Sequence, residues 1–591
     1  MRHFFISLLG SVIGFFIAMF LMLILFFGII GAIVSTAGKT TTKSHSSTVL
    51  TLDLRHSMLD HGGNNSFFDN GPSSVVSIVQ SLAQAKNDKN IKGLFIRANS
   101  HGMSAQQAGE IRLAIIDFKS SGKFVIAHAQ GFESPSLSPY IAVSAADEIW
   151  LQDTTNFAVA GYRAEIEFLG GVFEKYDAKA EFIQFHEYKN AVNTYTKKTL
   201  TPAHRTAMTE LLQSLMDTGV GNIANDRNLD KAAVTNLLKD APHSAESAKE
   251  LRLIDTLGHY ASARDYAKKQ AGGDDVHFQS IGDYDLDTGS GPIIAFIGGQ
   301  GAVMEGNSQD GSNPFSNTLS MGGDTVSQAF IKAAKDDKVK AIIFRVSSPG
   351  GSPTASDQIW DAVNRAKKAG KPVVVSMGQY AASGGYYVAA NADKIVAMPT
   401  TITGSIGVYG GKIYLKDTLA KFGYNVEAIN LGGEYGAVYS AFEPWSQGNR
   451  AAYHNVLENI YDDFTSRVAD GRGIPIERVR EIAKGRVWTG VQAEEIGLVD
   501  HLGGFAKAVE VAKYLADIDD DTKVHIKKFP RDLTPAEQFE QLFNVTADAT
   551  ANLENLQILM QSREFEALVK AQTILQNQHN SALSVALPEI K

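Results

Sequence analysis

Beyond residue 47 the chain alternates short continuous apolar runs with stretches whose apolar residues recur at helical spacing. In the second half, 293–297 is apolar, 325–335 has helical spacing, 339–346 is apolar again, and 355–368 returns to helical spacing. Apolar runs at 372–377 and 395–398 follow, the first leading into the small-residue turn GQYAASGGYY at 378–387 and a helix-like VAANADK. The first half has the same order of strand, helix, strand, turn and longer helix. Strands alternating with helices predict an α/β protein built in layers. Ahead of this, residues 4–34 contain no Asp, Glu, Lys or Arg. That run exceeds the roughly 20 residues needed to cross a bilayer, and the apolar core of a cleaved signal peptide is only about 7–15 residues. A retained transmembrane helix is expected, joined by a Ser/Thr-rich linker at 36–47. After 517 the composition turns to Gln, Asn, Ala and Leu, and 535–543 and 553–575 read as helices, so 518–591 is expected to be a helical extension.

The two halves are a duplication. IKGLFIRANS at 91–100 answers VKAIIFRVSS at 339–348, which places Arg97 and Arg345 248 positions apart, and the same offset carries Gly122-Lys123 onto Gly370-Lys371. AKELRLIDTLG at 248–258 answers AEEIGLVDHLG at 493–503. The expected domains are 1–47 (membrane helix and linker), 48–290 (first repeat), 291–517 (second repeat) and 518–591.

A chain of 591 residues exceeds one core and predicts two to four domains. With 44% apolar residues, 20% charged residues and a net charge of −9, the composition is globular and mildly acidic. No basic patch with interleaved aromatics suggests nucleic acid. The absence of cysteine excludes thiol catalysis, disulfides and thiolate metal sites.

Candidate chemistry gathers at Ser383. A serine between an apolar run and a helix start lies where unpartnered N–H groups and the helix dipole stabilise an oxyanion. Gly384 and Gly385 clear the space beside it. A second glycine turn, SPGGS at 348–352, follows the 339–346 strand, so the amides of Gly350, Gly351 and Gly384 are the oxyanion candidates. The first half has Ser100-His101-Gly102-Met103-Ser104 opposite SPGGS. Opposite SGGYY it has Ser136-Leu137-Ser138-Pro139-Tyr140, to within one residue, so it has lost the glycine pair and is not expected to hold its own nucleophile. No histidine occurs between His277 and His454, which disfavours a Ser-His-Asp triad within that repeat. A Ser-Lys arrangement remains, and its lysine must be held well below the ordinary value of about 10.4 by burial.

SPGGS, AASGGYY and TGSIGVYG (403–410) together resemble the signal peptide peptidase A family, also called protease IV, in its long two-domain form, from the membrane segment to about residue 515. The resemblance implies tandem domains of the fold shared by caseinolytic-protease-like and crotonase-like proteins. In that family a YK-x-A-V segment of the N-terminal domain supplies the general base, and Tyr188-Lys189-Asn190-Ala191-Val192 matches it. The resemblance thus assigns Lys189 as base for Ser383 and Ser405 as a hydroxyl that helps hold the lysine. It also implies a bacterial inner-membrane protein with periplasmic catalytic domains, a homo-oligomer (a tetramer), and cleaved signal peptides and similar apolar peptides as substrates, with no metal or organic cofactor. Lys197, Lys198 and Lys412 are rivals on spacing, and His186 is a rival base. Val487-Trp488-Thr489-Gly490 matches the family's second domain and reads as packing. Two alternatives stand beside the peptidase: a crotonase-like acyl-CoA enzyme, whose oxyanion amides need no Ser383, and a non-catalytic membrane scaffold.

Overall fold

The apolar runs fold as strands buried on both faces, as parallel sheets covered by helices require. The computed structural model describes residues 14, 47–62, 74–98, 102–284, 286, 291–310, 318–531 and 583–584. In the first repeat the strands run Thr256–Leu257, Glu148–Leu151, Phe124–Ala129, Ile91–Arg97, Thr48–Asp53, His277–Ser280, each parallel to its neighbour. The second repeat has the same order in His501–Leu502, Lys394–Ala397, Val373–Ala382, Val339–Ser348, Ile293–Gln300 and His525–Phe529. Beside Val373–Ala382 it adds a branch, Ile402–Gly404 and then antiparallel Val487–Thr489. The duplication is therefore structural, strand for strand, in a mixed α/β fold.

The matching strand order carries the second repeat beyond residue 517. His525–Phe529 pairs with Ile293–Ile297 as the edge strand that His277–Ser280 supplies in the first repeat, so the start of the expected helical extension is instead a strand. Residues 532–582 and 585–591 lie outside the described residues, as does the expected transmembrane helix at 4–34 apart from Gly14. Among the described residues no helix is long and apolar enough to cross a membrane.

Helices form where the spacing predicts them. The 325–335 pattern becomes Gly323–Lys335, and the 355–368 pattern becomes Pro353–Lys368, with proline in its first turn and the Ser352 hydroxyl accepting from Ala355 N. The repeats share a core: Phe505, Ala508, Val511 and Ala512 of Phe505–Leu515 pack among the first repeat's apolar residues. Arg345 joins the repeats electrostatically. Although fully buried, it donates to Asp60 at 2.6 and 2.8 Å, to Glu110 at 2.8 and 3.3 Å, and to Ser376 Oγ at 2.9 Å. Burial alone would raise the Asp60 carboxyl, but the Arg345 guanidinium brings it below the usual carboxylate value. Its repeat counterpart Arg97 is partly exposed, 4.0 Å from Asp53 and over the Tyr260 ring.

One ladder crosses between repeats. Lys179–Phe185 pairs antiparallel with Val408–Tyr414, from Val408 opposite Phe185 to Tyr414 opposite Lys179.

Candidate active site

Three turns converge on this cross-repeat ladder. Val373–Ala382 ends at Ser383, whose φ of 55° and ψ of −119° hold it in a conformation that side-chain-bearing residues rarely adopt. The sharp turn is fixed from both sides: Ser383 N donates to Gly404 O at 2.8 Å, and Ser383 O accepts from Tyr386 N and Tyr387 N at 2.9 Å. The helix after it is only Gly384–Tyr387, shorter than the VAANADK pattern suggests. The chain must turn at once into Lys394–Ala397, and Asp393 caps that return by accepting from Val373 N at 2.8 Å.

Lys189 arrives from the other repeat. After Lys179–Phe185 the chain passes a cis Phe185–His186 peptide, and the amides of His186 and Tyr188 donate to Lys484 O at 3.3 and 3.1 Å. Lys189 then precedes a single 3-10 turn, Asn190–Val192. Its Nζ donates to Ser383 Oγ at 2.8 Å, to Ser405 O at 3.0 Å and to Ser405 Oγ at 3.1 Å. Lys189 is 1% exposed, and Ser383 and Ser405 are fully buried. Among the described residues no carboxylate pairs with this amine. Burial therefore acts unopposed and holds it well below the ordinary lysine value. Ser405, itself at φ 50°, donates through its amide to Arg486 O at 2.7 Å and through its hydroxyl to Gly485 O at 3.4 Å.

The structure thus brings Ser383, Lys189 and Ser405 together. The glycine turn adjoins them: Gly350–Gly351 packs against Gly384–Tyr387, and a Cβ on Gly385 would come 2.6 Å from Ser348 O. The Gly350 amide donates to Ser348 Oγ at 3.2 Å, which commits it within its own turn. Gly350–Gly351 also pairs antiparallel with the chain's own Leu583–Ser584. The rivals lie elsewhere. Lys412 Nζ donates to Ala437 O and Glu443 O at 3.2 and 2.6 Å, Lys197 and Lys198 are exposed, and the exposed His186 meets the Tyr461 ring edge-on.

The first repeat's equivalent site is filled. Tyr140 donates to Leu253 O at 2.6 Å as Tyr386 donates to Leu498 O at 2.8 Å, which fixes the register and puts Leu137 where Ser383 stands. Leu137 is fully buried with an ordinary φ of −68°. The turn bearing residues 99–101 lies outside the described residues.

Two supporting glycines were missed in the sequence. Gly485, at φ 80°, lies so close beneath Lys189 that a Cβ would come 2.5 Å from the lysine Cβ, and a Cβ on Gly407 would come 2.5 Å from Phe185 O. The signal for Gly485 was its position ahead of VWTG, whose strand Val487–Thr489 flanks Ile402–Gly404 and so helps place Ser405 as well as packing.

Residues 117–274 and 365–519 match Peptidase family S49, and residues 320–403 match Clp protease. The chain belongs to peptidase family S49 and is a serine protease, which sets aside the acyl-CoA and scaffold alternatives. Protease 4 of Salmonella typhi is 32% identical over 75% of this chain and 72% of its own length. Protease 4 of Haemophilus influenzae is 31% identical over 76% and 74%. The chloroplastic serine protease SPPA of Arabidopsis thaliana is 28% identical over 82% and 72%.

Proposed function

We propose that Ser383 is the nucleophile and Lys189 its general base, in a peptidase that cleaves through an acyl-enzyme. The observation that carries this reading is the 2.8 Å separation of Lys189 Nζ from Ser383 Oγ, with an amine whose charged form burial disfavours. The neutral amine takes the Ser383 proton as Oγ attacks the scissile carbonyl carbon. The ammonium formed gives that proton to the departing amine nitrogen as the C–N bond breaks. Water then attacks the ester, Lys189 accepts its proton, and the proton returns to Ser383 Oγ as the acid leaves. Ser405 orients the amine through its carbonyl and hydroxyl. The amides of Gly351 and Gly384 hold the oxyanion, with Gly350 shaping the turn.

The substrate is an extended peptide that pairs with Gly350–Gly351 as an added strand, the mode in which Leu583–Ser584 pairs there. Cleaved signal peptides and similar apolar peptides are the proposed class. The apolar run at 4–34 supports anchorage in a bacterial inner membrane, with the catalytic repeats on the periplasmic side. The test is hydrolysis of a leucine-rich fluorogenic peptide by the full chain in detergent, beside Ser383→Ala and Lys189→Ala. Lys189→Ala is expected to lose about 10²–10⁴-fold in kcat and Ser383→Ala at least as much. Parental activity in Lys189→Ala would overturn the reading.

A further inference from the structure

The two repeats share a turn and differ in how strained it is. Ser383 is held at φ 55°, whereas Leu137, at the same place in the first repeat, has a relaxed φ of −68°. A strained residue keeps its conformation only where its surroundings over-determine it. Contacts that serve the strain should therefore occur in the second repeat alone, and contacts common to both belong to the fold. The bond from Tyr386 to Leu498 O is common, since Tyr140 makes the same bond to Leu253 O. The next residue differs. Tyr387 Oη donates to Asp357 Oδ1 at 2.8 Å. The tyrosine is 3% exposed, and its ring lies against Phe464 with the centroids 5.0 Å apart. Burial, and then the Asp357 carboxylate, hold its hydroxyl above the ordinary tyrosine value, so it remains a donor. Arg467 Nη2 donates to the same Asp357 oxygen at 3.4 Å, and its guanidinium carbon stands 3.9 Å from the centre of the Trp360 ring. The carboxylate is thus held between a hydroxyl and a cation.

The first repeat has none of these groups at the equivalent places. The N-caps Ser104 and Ser352 set the register of one helix pair, which puts Gly109 where Asp357 stands. The left-handed caps Asn228 and Gly473 set that of the other, which puts Asn222 where Arg467 stands and Gly219 where Phe464 stands. Tyr387 is answered by Ile141, and a Cβ on Gly219 would come 3.2 Å from Ile141 Cδ1. Where the turn is relaxed, the hydroxyl, the carboxylate and the cation are all missing.

We propose that Tyr387, Asp357 and Arg467 are positioning residues for the nucleophile, a brace outside the dyad that keeps Ser383 in its strained conformation. The route is short. Ser383 O accepts from Tyr387 N at 2.9 Å, so the tyrosine backbone is joined directly to the serine. Its far end is pinned to Asp357 on Pro353–Lys368, which leaves the one-turn helix Gly384–Tyr387 no freedom to relax toward the shape seen at Leu137. Pro353–Lys368 is also the helix that the Gly350–Gly351 turn leads into. The brace therefore fixes the serine and the Gly384 amide against the glycine turn, the two sides between which an oxyanion would sit. This inference rests on the reading of Ser383 as nucleophile.

The test uses the full chain in detergent with the leucine-rich fluorogenic peptide, and labelling by a fluorophosphonate probe as a second measurement. In labelling, the serine oxygen bonds to phosphorus, its proton passes to the base and fluoride leaves, so the rate follows the placement of the hydroxyl with no peptide to bind. Tyr387→Phe and Asp357→Ala should each lower kcat and the labelling rate about 10-fold with KM little changed, the loss expected for one hydrogen bond to a charged group that supports the transition state. The double variant should lose no more than either single one, because both remove the same contact. Tyr140→Phe, which removes the first repeat's bond to Leu253 O, should lower the melting temperature and leave kcat and labelling at the parental level. Ser383→Ala should show neither hydrolysis nor labelling. Parental rates in Tyr387→Phe and Asp357→Ala, beside an inert Ser383→Ala, would overturn the brace and leave the dyad standing. So would losses that add in the double variant, a rise in KM at constant kcat, or an equal loss in Tyr140→Phe. Hydrolysis or labelling that survives in Ser383→Ala would overturn the catalytic reading and this inference with it.

Discussion

Gly485→Ala tests whether the lysine works because of where its backbone is held. At φ 80° an alanine costs about 1–2 kcal/mol of backbone strain. Its Cβ would come 2.5 Å from Lys189 Cβ and 2.6 Å from Lys189 Cα and N. Carbon atoms rest about 3.5–4.0 Å apart, so roughly 1 Å must open between the two backbones, and the amine moves with it. A displacement of about 1 Å in a reacting group lowers the rate on the order of 100-fold. The expected result is a folded chain with kcat reduced about that much and KM little changed. Gly473→Ala is the control, because Gly473 has a similar φ of 63° with nothing within 4 Å of the added carbon. It should lose comparable stability and keep its activity. Melting temperature and peptide hydrolysis are measured on both. Equal activity in the two variants would refute the argument that Gly485 sets the position of Lys189.

The pH profile of kcat/KM should rise as the Lys189 amine loses its proton, with a limb well below the ordinary lysine range because burial disfavours the ammonium. The same burial affects stability. Between the depressed folded value and the unfolded value near 10.4, unfolding takes up a proton, so stability should rise with pH across that window and level off above it. Denaturant titrations should show Lys189→Met flattening this rise. Arg345→Met leaves Asp60 and Glu110 buried without their cation and should cost about 3–5 kcal/mol. Adding Asp60→Asn and Glu110→Gln should recover part of that loss in the same titrations, and no recovery would locate the cost in packing instead.

Much of the fold was legible because duplication repeats its signals. The offset between Arg97 and Arg345 fixed both repeats, and the strands at 293–297 and 339–346 formed where the apolar runs lay. The end of the second repeat was not legible: HIKKF at 525–529 has too few apolar residues to announce a strand, and only pairing with Ile293–Ile297 makes it one. At the site, Ser383 could be read from its glycine turn, and Lys189 only from its resemblance to a family segment. Lysine burial depends on Gly485 and Ser405, more than two hundred positions away, so no local pattern reports it. The different fates of Arg97 and Arg345 were hidden likewise, since the carboxylates around Arg345 come from the other repeat.

The 2.8 Å contact between Lys189 and Ser383 joins residues 194 positions apart, one from each repeat. During synthesis the lysine leaves the ribosome first, before the serine that its amine contacts. The serine follows, and the edge strand His525–Phe529 closes the second sheet later still. A truncated or nicked chain that loses either repeat keeps a fold-sized fragment but no assembled site. On the proposed reading, a chain stopped before Ser383 holds the base without its nucleophile, so it should not cut.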